Sequence, residues 1–163
     1  MKKNLTINEA IEISKNLRKQ KKIIIVTGGC FDIIHIGHIS LLTEAKKKGD
    51  ILFVLLENDT NTTINKGLGR PINNQKQRSI VLEALETVDY VINLPNIIND
   101  NEYDNLITAL RPAIIATTKG DSFRKHKERQ ALIIGAIVVD VIKPIPNTST
   151  SKMADVIQKK FMI

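Results

Sequence analysis

The chain has 163 residues, of which 42% are hydrophobic and 25% charged, the make-up of one globular domain with a sizeable core. Its apolar runs are too short to span a bilayer, no signal-peptide pattern opens it, and a single cysteine excludes an internal disulfide or a multi-cysteine metal site. A cytoplasmic address is expected. The net charge of +7 suggests an anionic partner: nucleic acid is the obvious candidate, though aromatics at 4% and no Trp make poor base-stacking material. A nucleotide or phosphorylated metabolite would use the same charge, and a solubilising surface would account for many of the lysines.

Elements follow in chain order. Thr6-Ile7-Asn8-Glu9 reads as a capping box, and Ala10, Ile13 and Leu17 share a helical face to about Lys19. The β-branched run from Lys22 to Thr27 predicts a strand buried on both faces, ended by Gly28-Gly29. A helix is expected from Gly37 to Lys48, with Gly49 as its stop, then a buried strand from Ile51 to Leu56. Residues Glu57 to Pro71 read as a long functional loop. A helix from Asn73, a strand at Tyr90 to Ile92, a helix from Asn101 to Leu110 and a strand from Ala113 to Thr117 follow. The remainder predicts a helix from Arg124 to Ile134, a strand from Ile137 to Val141, and a last helix from Ser149 through Lys159. This alternation implies an α/β, Rossmann-like, doubly wound parallel sheet of five strands with helices on both faces.

The first strand runs into Thr27-Gly28-Gly29-Cys30-Phe31-Asp32-Ile33-Ile34-His35-Ile36-Gly37-His38. Free N–H groups and the helix dipole at such a junction favour an anion, and glycines let backbone approach phosphate. His35 just before the helix and His38 in its first turn can converge on one phosphoryl group across the bare Gly37. Their ordinary pKa of about 6.5 allows them to be charged beside phosphate. Neither a dinucleotide fingerprint nor a Walker-type loop is present.

Residues Gly29 to His38 resemble the signature of the small cytidylyltransferase-like nucleotidyltransferases. Gly69-Arg70-Pro71-Ile72-Asn73 with Arg78, and then Val88-Asp89-Tyr90-Val91, resemble the middle of bacterial heptose 1-phosphate adenylyltransferase domains. Lys119-Gly120-Asp121 resembles their nucleotide-side loop, and Ser149-Thr150-Ser151-Lys152 the motif that opens their last helix. The match runs from Ile23 onward, and even Leu5 to Lys22 resembles the helix preceding this domain in bifunctional kinase–adenylyltransferases. A single domain is expected, with residues 1–21 as a helical extension and 22–163 as the catalytic core. His35-Ile36-Gly37-His38 also matches class I aminoacyl-tRNA synthetases, but this chain is too short for one.

The resemblance implies attack of an acceptor phosphate on the α-phosphorus of a nucleoside triphosphate, with release of pyrophosphate. It implies His35, His38, Lys66 and Arg70 as catalytic residues. Gly28, Gly29, Cys30, Phe31, Gly37, Arg78, Lys119, Gly120, Asp121, Ser149, Thr150 and Ser151 would bind nucleotide. Mg²⁺ is the expected cofactor, held mainly by triphosphate oxygens with no protein metal site. Asp32 is expected to brace the turn, and Cys30 to be a small packed residue. ATP with heptose 1-phosphate is the leading pair. Lys119-Gly120-Asp121-Ser122-Phe123 departs from the Lys-Gly-Gly-Asp-Tyr of the heptose enzymes, so CTP with glycerol 3-phosphate and ATP with FMN stay open. The expected partners are thus a triphosphate and a phosphorylated small molecule, with no nucleic acid, no membrane and a possible homodimer. Outside the enzyme class stand a nucleotide sensor and a basic nucleic-acid-binding module.

Overall fold

Thr6 opens the first helix as its side chain predicts. Its Oγ1 accepts from the Glu9 N–H at 3.2 Å while the Glu9 carboxylate accepts from the Thr6 N–H at 2.8 Å. In the computed structural model, which describes residues 2–96, 99–153 and 156, this helix α1 (Ile7–Lys19) follows a short strand β1 (Asn4–Leu5). Then come β2 (Ile24–Gly29), α2 (Ile36–Lys46), β3 (Ile51–Leu56), α3 (Asp59–Lys66) and α4 (Gln75–Glu83). The chain continues with β4 (Tyr90–Asn93), α5 (Asp100–Leu110), β5 (Ile114–Thr118), α6 (Arg124–Ile134) and β6 (Ile137–Ile142). The part of the final helix expected beyond Met153, to Lys159, lies outside the described residues apart from residue 156.

All strand pairings are parallel, in the order β1-β4-β3-β2-β5-β6. The sheet therefore has six strands where five are expected. The sixth is β1, whose Asn4 and Leu5 pair with Val91 and Ile92. Two residues are too short to show a strand period, so the signal was absent from the pattern. Leu5 and Ala10 are buried, which makes residues 4–19 part of the same core as the rest.

A second difference lies in the 57–71 segment, which holds α3 in place of a continuous loop. Asp59-Thr60-Asn61-Thr62-Thr63-Ile64-Asn65-Lys66 has low helix propensity and no apolar stripe. It is held by side-chain bonds: Asn58 Oδ1 accepts from the Asn61 N–H at 2.8 Å, and Thr62 and Thr63 hydroxyls donate to Asn58 and Asp59 carbonyls. β2 also runs on through Gly28 and Gly29, which pair with Leu55 and Leu56.

Successive strand residues face opposite layers. Ile24, Val26, Phe53, Leu55 and Ile92 pack under α1, α5 and α6, with Leu106, Leu110 and Ala131 among their partners. Ile25, Leu52, Val54, Leu56 and Val91 pack under α2 and α4 with Leu42, Ala45 and Leu82. Both faces of the central strands are thus dry, which explains their unbroken apolar sequence. No described helix is long and apolar enough to cross a membrane.

From β2 the chain moves to β3 on one side, and later to β5 on the other. The crevice beyond the carboxyl end of β2 is the topological switch point, where ligands bind in folds of this type.

Gly49 does more than stop α2. A Cβ there would stand 2.5 Å from Ile25 Cδ1, 2.6 Å from Ile23 Cγ2 and 2.9 Å from the Ile23 carbonyl oxygen. Gly49→Ala must push β2 away from α2, and a loss of about 1–3 kcal/mol in urea denaturation is expected.

Candidate active site

The strand-to-helix turn after β2 is built to bring two imidazoles together. Phe31 takes a left-handed backbone (φ 46°) and tucks its ring into the core at 2% exposure. His35 caps α2, its Nδ1 accepting the Gly37 N–H at 3.1 Å. That bond places the His35 proton on Nε2, so the donor faces away from the cap. The His35 and His38 rings stack with centroids 3.8 Å apart and planes inclined by 22°. Phe31 lies against His38, 5.2 Å between centroids. Gly37 is required by space: a Cβ would come 3.0 Å from His35 Cε1 and 3.3 Å from Thr148 Oγ1.

With no anion bound, the surroundings disfavour charge on either imidazole. Burial lowers the His35 pKa from 6.5. Burial, then the neighbouring His35, lower His38 to about 4; the Ile33 backbone opposes the fall, Lys66 adds to it and Asp32 opposes it. Both rings are neutral near pH 7, and each then offers one N–H. His38 Nδ1 is buried with no hydrogen-bond partner of full geometry. An unsatisfied polar atom inside a site is costly and is satisfied by a ligand or ordered water.

Asp32 braces the turn, as expected. Its side chain is 1% exposed and accepts from Arg70 Nε at 2.6 Å and from the Ile72 and Asn73 N–H groups at 2.9 and 3.0 Å. Burial pushes its pKa up, but the Asn73 and Ile72 amides and the Arg70 guanidinium outweigh this and hold it below the usual value. Arg70 is therefore anchored to the turn. Its Nη1 lies 3.5 Å from Ser151 Oγ, which joins the 70–73 segment to the turn after β6. Lys66 is exposed at the end of α3, close enough for its charge to act on His38.

Arg78 differs from expectation. Among the described residues it is the largest fully buried side chain, and it donates to the carbonyls of Asn73, Cys30 and Glu57 and to the Asp59 carboxylate. Every guanidinium nitrogen is engaged by protein, so Arg78 ties the two loops and α3 together and does not face a ligand. Asp121 is likewise occupied: its carboxylate accepts from the Thr117 hydroxyl, the Lys127 ammonium and the Phe123 N–H. What the loop after β5 leaves open is the exposed Lys119 and Gly120, where φ is 80° and a Cβ would meet nothing.

The turn after β6 does reach the histidines. Thr150 is buried beside the Ile33 carbonyl, 3.4 Å from its Oγ1, while Ser149 Oγ accepts the Lys152 N–H at 3.3 Å as a cap. Ser151 is exposed, and Lys152 turns to Asn147. Thr148, against Gly37, was not singled out by the sequence, because nothing in the spacing marks which hydroxyl meets a glycine over a hundred residues away. Gly28 and Gly29 end β2 at the crevice floor. Cys30 is half-buried and contributes its carbonyl to Arg78.

Among the described residues no three His, Cys, Asp or Glu side chains stand together as a metal cage. Asp32, the nearest carboxylate to the turn, is already saturated. The donor set does not fit a protein-built metal site.

A parallel doubly wound sheet with a histidine pair at the start of the switch-point helix defines a nucleotidyltransferase-like domain. Residues 26–160 match the profile described as cytidylyltransferase-like, and the chain belongs to that family. The bifunctional protein HldE of a Nitratiruptor species is 40% identical over 138 residues, 84% of this chain and 28% of that protein. HldE of Desulfatibacillum aliphaticivorans is 36% identical over 148 residues, 88% of this chain and again 28% of the relative. The chain thus spans under a third of the length of these relatives. The crystal structure of the lipopolysaccharide core biosynthesis protein from Thermoplasma volcanium is similar at a TM-score of 0.60 and 27% identity, covering 76% of this chain and 96% of that one. A pantoate-beta-alanine ligase from Francisella tularensis, 19% identical at a TM-score of 0.60, shares the fold; that match covers 93% of this chain and 72% of the ligase.

The histidine pair has a consequence for stability. Folding lowers the His38 pKa from 6.5 to about 4, so the unfolded chain binds that proton more tightly. The stability is complete above the unfolded value and is lost as pH falls from 6.5 towards 4. Between pH 7.5 and pH 5, wild type should lose up to about 2 kcal/mol more in chemical denaturation than His38→Asn does.

Proposed function

We propose that the chain transfers a nucleoside monophosphate from a triphosphate to a phosphorylated sugar, releasing pyrophosphate, with ATP and heptose 1-phosphate as the leading pair. The observation that carries this reading is the stacked His35–His38 pair at the start of α2, beside the switch point. The similarity to HldE proteins and to a lipopolysaccharide core biosynthesis protein supports the sugar side of the reading.

The attacking phosphate is already anionic, so no protein nucleophile or strong base is required. The chemistry needs alignment and charge stabilisation. Neutral imidazoles donate N–H groups to the α-phosphate, and the approaching negative charge raises their proton affinity as it builds up. Gly28, Gly29 and Gly37 keep side chains out of its way. The exposed Ser151 hydroxyl and the backbone N–H groups of the 149–151 turn serve the β- and γ-phosphates, with Thr150 holding that turn on the Ile33 carbonyl, and the open Lys119-Gly120 backbone serves the base. Arg70, held by Asp32, presents a fixed cation, and Lys66 an adjustable one. Mg²⁺ bound with the triphosphate would supply charge neutralisation and would need no protein cage.

Small-molecule binding also suits the pairing of the basic stretch on α6. Arg124 faces Glu128 and Asp140, His126 faces Asp100, and Lys127 faces Asp121. Charges already matched by acids offer little to a nucleic-acid backbone.

A pyrophosphate-release assay with ATP or CTP against heptose 1-phosphate, glycerol 3-phosphate and FMN tests the reading. Release with ATP and heptose 1-phosphate is expected, and His38→Ala should lower kcat by about a hundredfold or more, the effect of one oriented donor. Release with no pair, or full turnover without His38, would contradict it.

A further inference from the structure

In-line displacement puts the attacking and leaving oxygens on opposite sides of the α-phosphorus. The strand order then decides where the acceptor must lie. The turn at 148–151, which would hold the leaving pyrophosphate, arrives from the β5–β6 side of β2 and packs on Gly37 and Ile33. The acceptor must approach from the other side, over the carboxyl end of β3. Glu57 is the first residue there. Its N–H donates to the Gly29 carbonyl at 3.1 Å, which fixes it beside the phosphate-binding turn.

The side chain of Glu57 is chemically unusual for that position. One carboxylate oxygen accepts from the Tyr103 hydroxyl on α5, the other from the Asn61 amide at a long 3.3 Å. The nearby Arg78 guanidinium bonds the Glu57 backbone carbonyl and the Asp59 carboxylate instead. The group is half-buried, burial raises its pKa, and both of its hydrogen-bond donors are neutral. A carboxylate accepts about four hydrogen bonds, so this one keeps capacity for further donors. It repels a phosphate and suits hydroxyl groups, whereas Lys66, whose charge acts on His38, and Arg70, bound to Asp32 in the turn, are the nearby cations suited to a phosphate.

We propose that Glu57 is the residue that reads the hydroxyl groups of the phosphorylated acceptor, whose phosphate is met by the Lys66–Arg70 segment. The inference rests on the nucleotidyl-transfer reading above. Tyr103 and Asn61 act as positioning residues for the carboxylate.

Calorimetric titration tests it, with a non-hydrolysable ATP analogue present and heptose 1-phosphate or methyl phosphate as probe. Glu57→Ala should weaken heptose 1-phosphate binding about tenfold or more, with Glu57→Gln intermediate. Methyl phosphate, which has no hydroxyl group, should bind wild type and variants alike, and so should the ATP analogue. An equal loss for both probes would mark a merely structural role and overturn the proposal. So would unchanged heptose 1-phosphate affinity in Glu57→Ala, or its failure to bind wild type, even if the ATP analogue binds. Failure of the ATP analogue to bind wild type would overturn the transfer reading as well.

Discussion

The site depends on one buried carboxylate. Asp32 lies in the turn after β2, and its oxygens collect the Arg70 guanidinium and two successive amides of the 72–73 segment. The Asn73 side-chain amide adds a bond to the Asp32 backbone carbonyl at 3.2 Å. Charge-assisted hydrogen bonds of this kind are the strong ones, and removing one partner strands the rest in a dry setting. The carboxylate therefore converts two surface loops into one rigid wall of the crevice. Arg78 performs the matching task from below, with its guanidinium spread over the backbone of both loops. One anion and one cation, each buried and fully engaged, set the walls between which the histidines stand.

That rigidity gives the histidine pair its character. Two rings stacked at 3.8 Å cannot both carry charge at low cost, and burial adds to the penalty. The protein thus holds a neutral pair whose charge is supplied by what binds, so that electrostatic stabilisation grows with the negative charge it answers. A pair of permanently charged lysines would bind ground state and transition state more evenly and gain less in rate. Lys66, exposed on α3, adds a cation whose position is less constrained.

Much of this was legible in the sequence where chemistry is local. The capping box at Thr6, the apolar strands, the helix from Arg124 to Ile134 and the histidine spacing all depend on neighbours within a few residues. What stayed hidden depends on distant partners. β1 is two residues long and exists only because Val91 and Ile92 offer an edge. α3 lacks an apolar stripe and is held by its own threonine and asparagine side chains. Arg78 reads as a solvent cation or a phosphate contact until Cys30 and Glu57, 48 and 21 residues away, claim its nitrogens. Asp121, similarly, is committed to Lys127 and Thr117. In both cases charge alone could not tell a ligand contact from a buried brace. Glu57 carried no motif at all, and its interest comes from the strand order and from its neutral partners.

The central claim is that His35 and His38 are neutral, closely paired and directed at the innermost phosphate of a triphosphate. Nitrogen-15 NMR titration of the two imidazoles, without and with a non-hydrolysable triphosphate, tests this most directly. The account predicts that His38 alone titrates near the low value of about 4, and that triphosphate moves both histidines to higher pKa. Two histidines titrating near 6.5 in the free protein, unmoved by triphosphate, would contradict it.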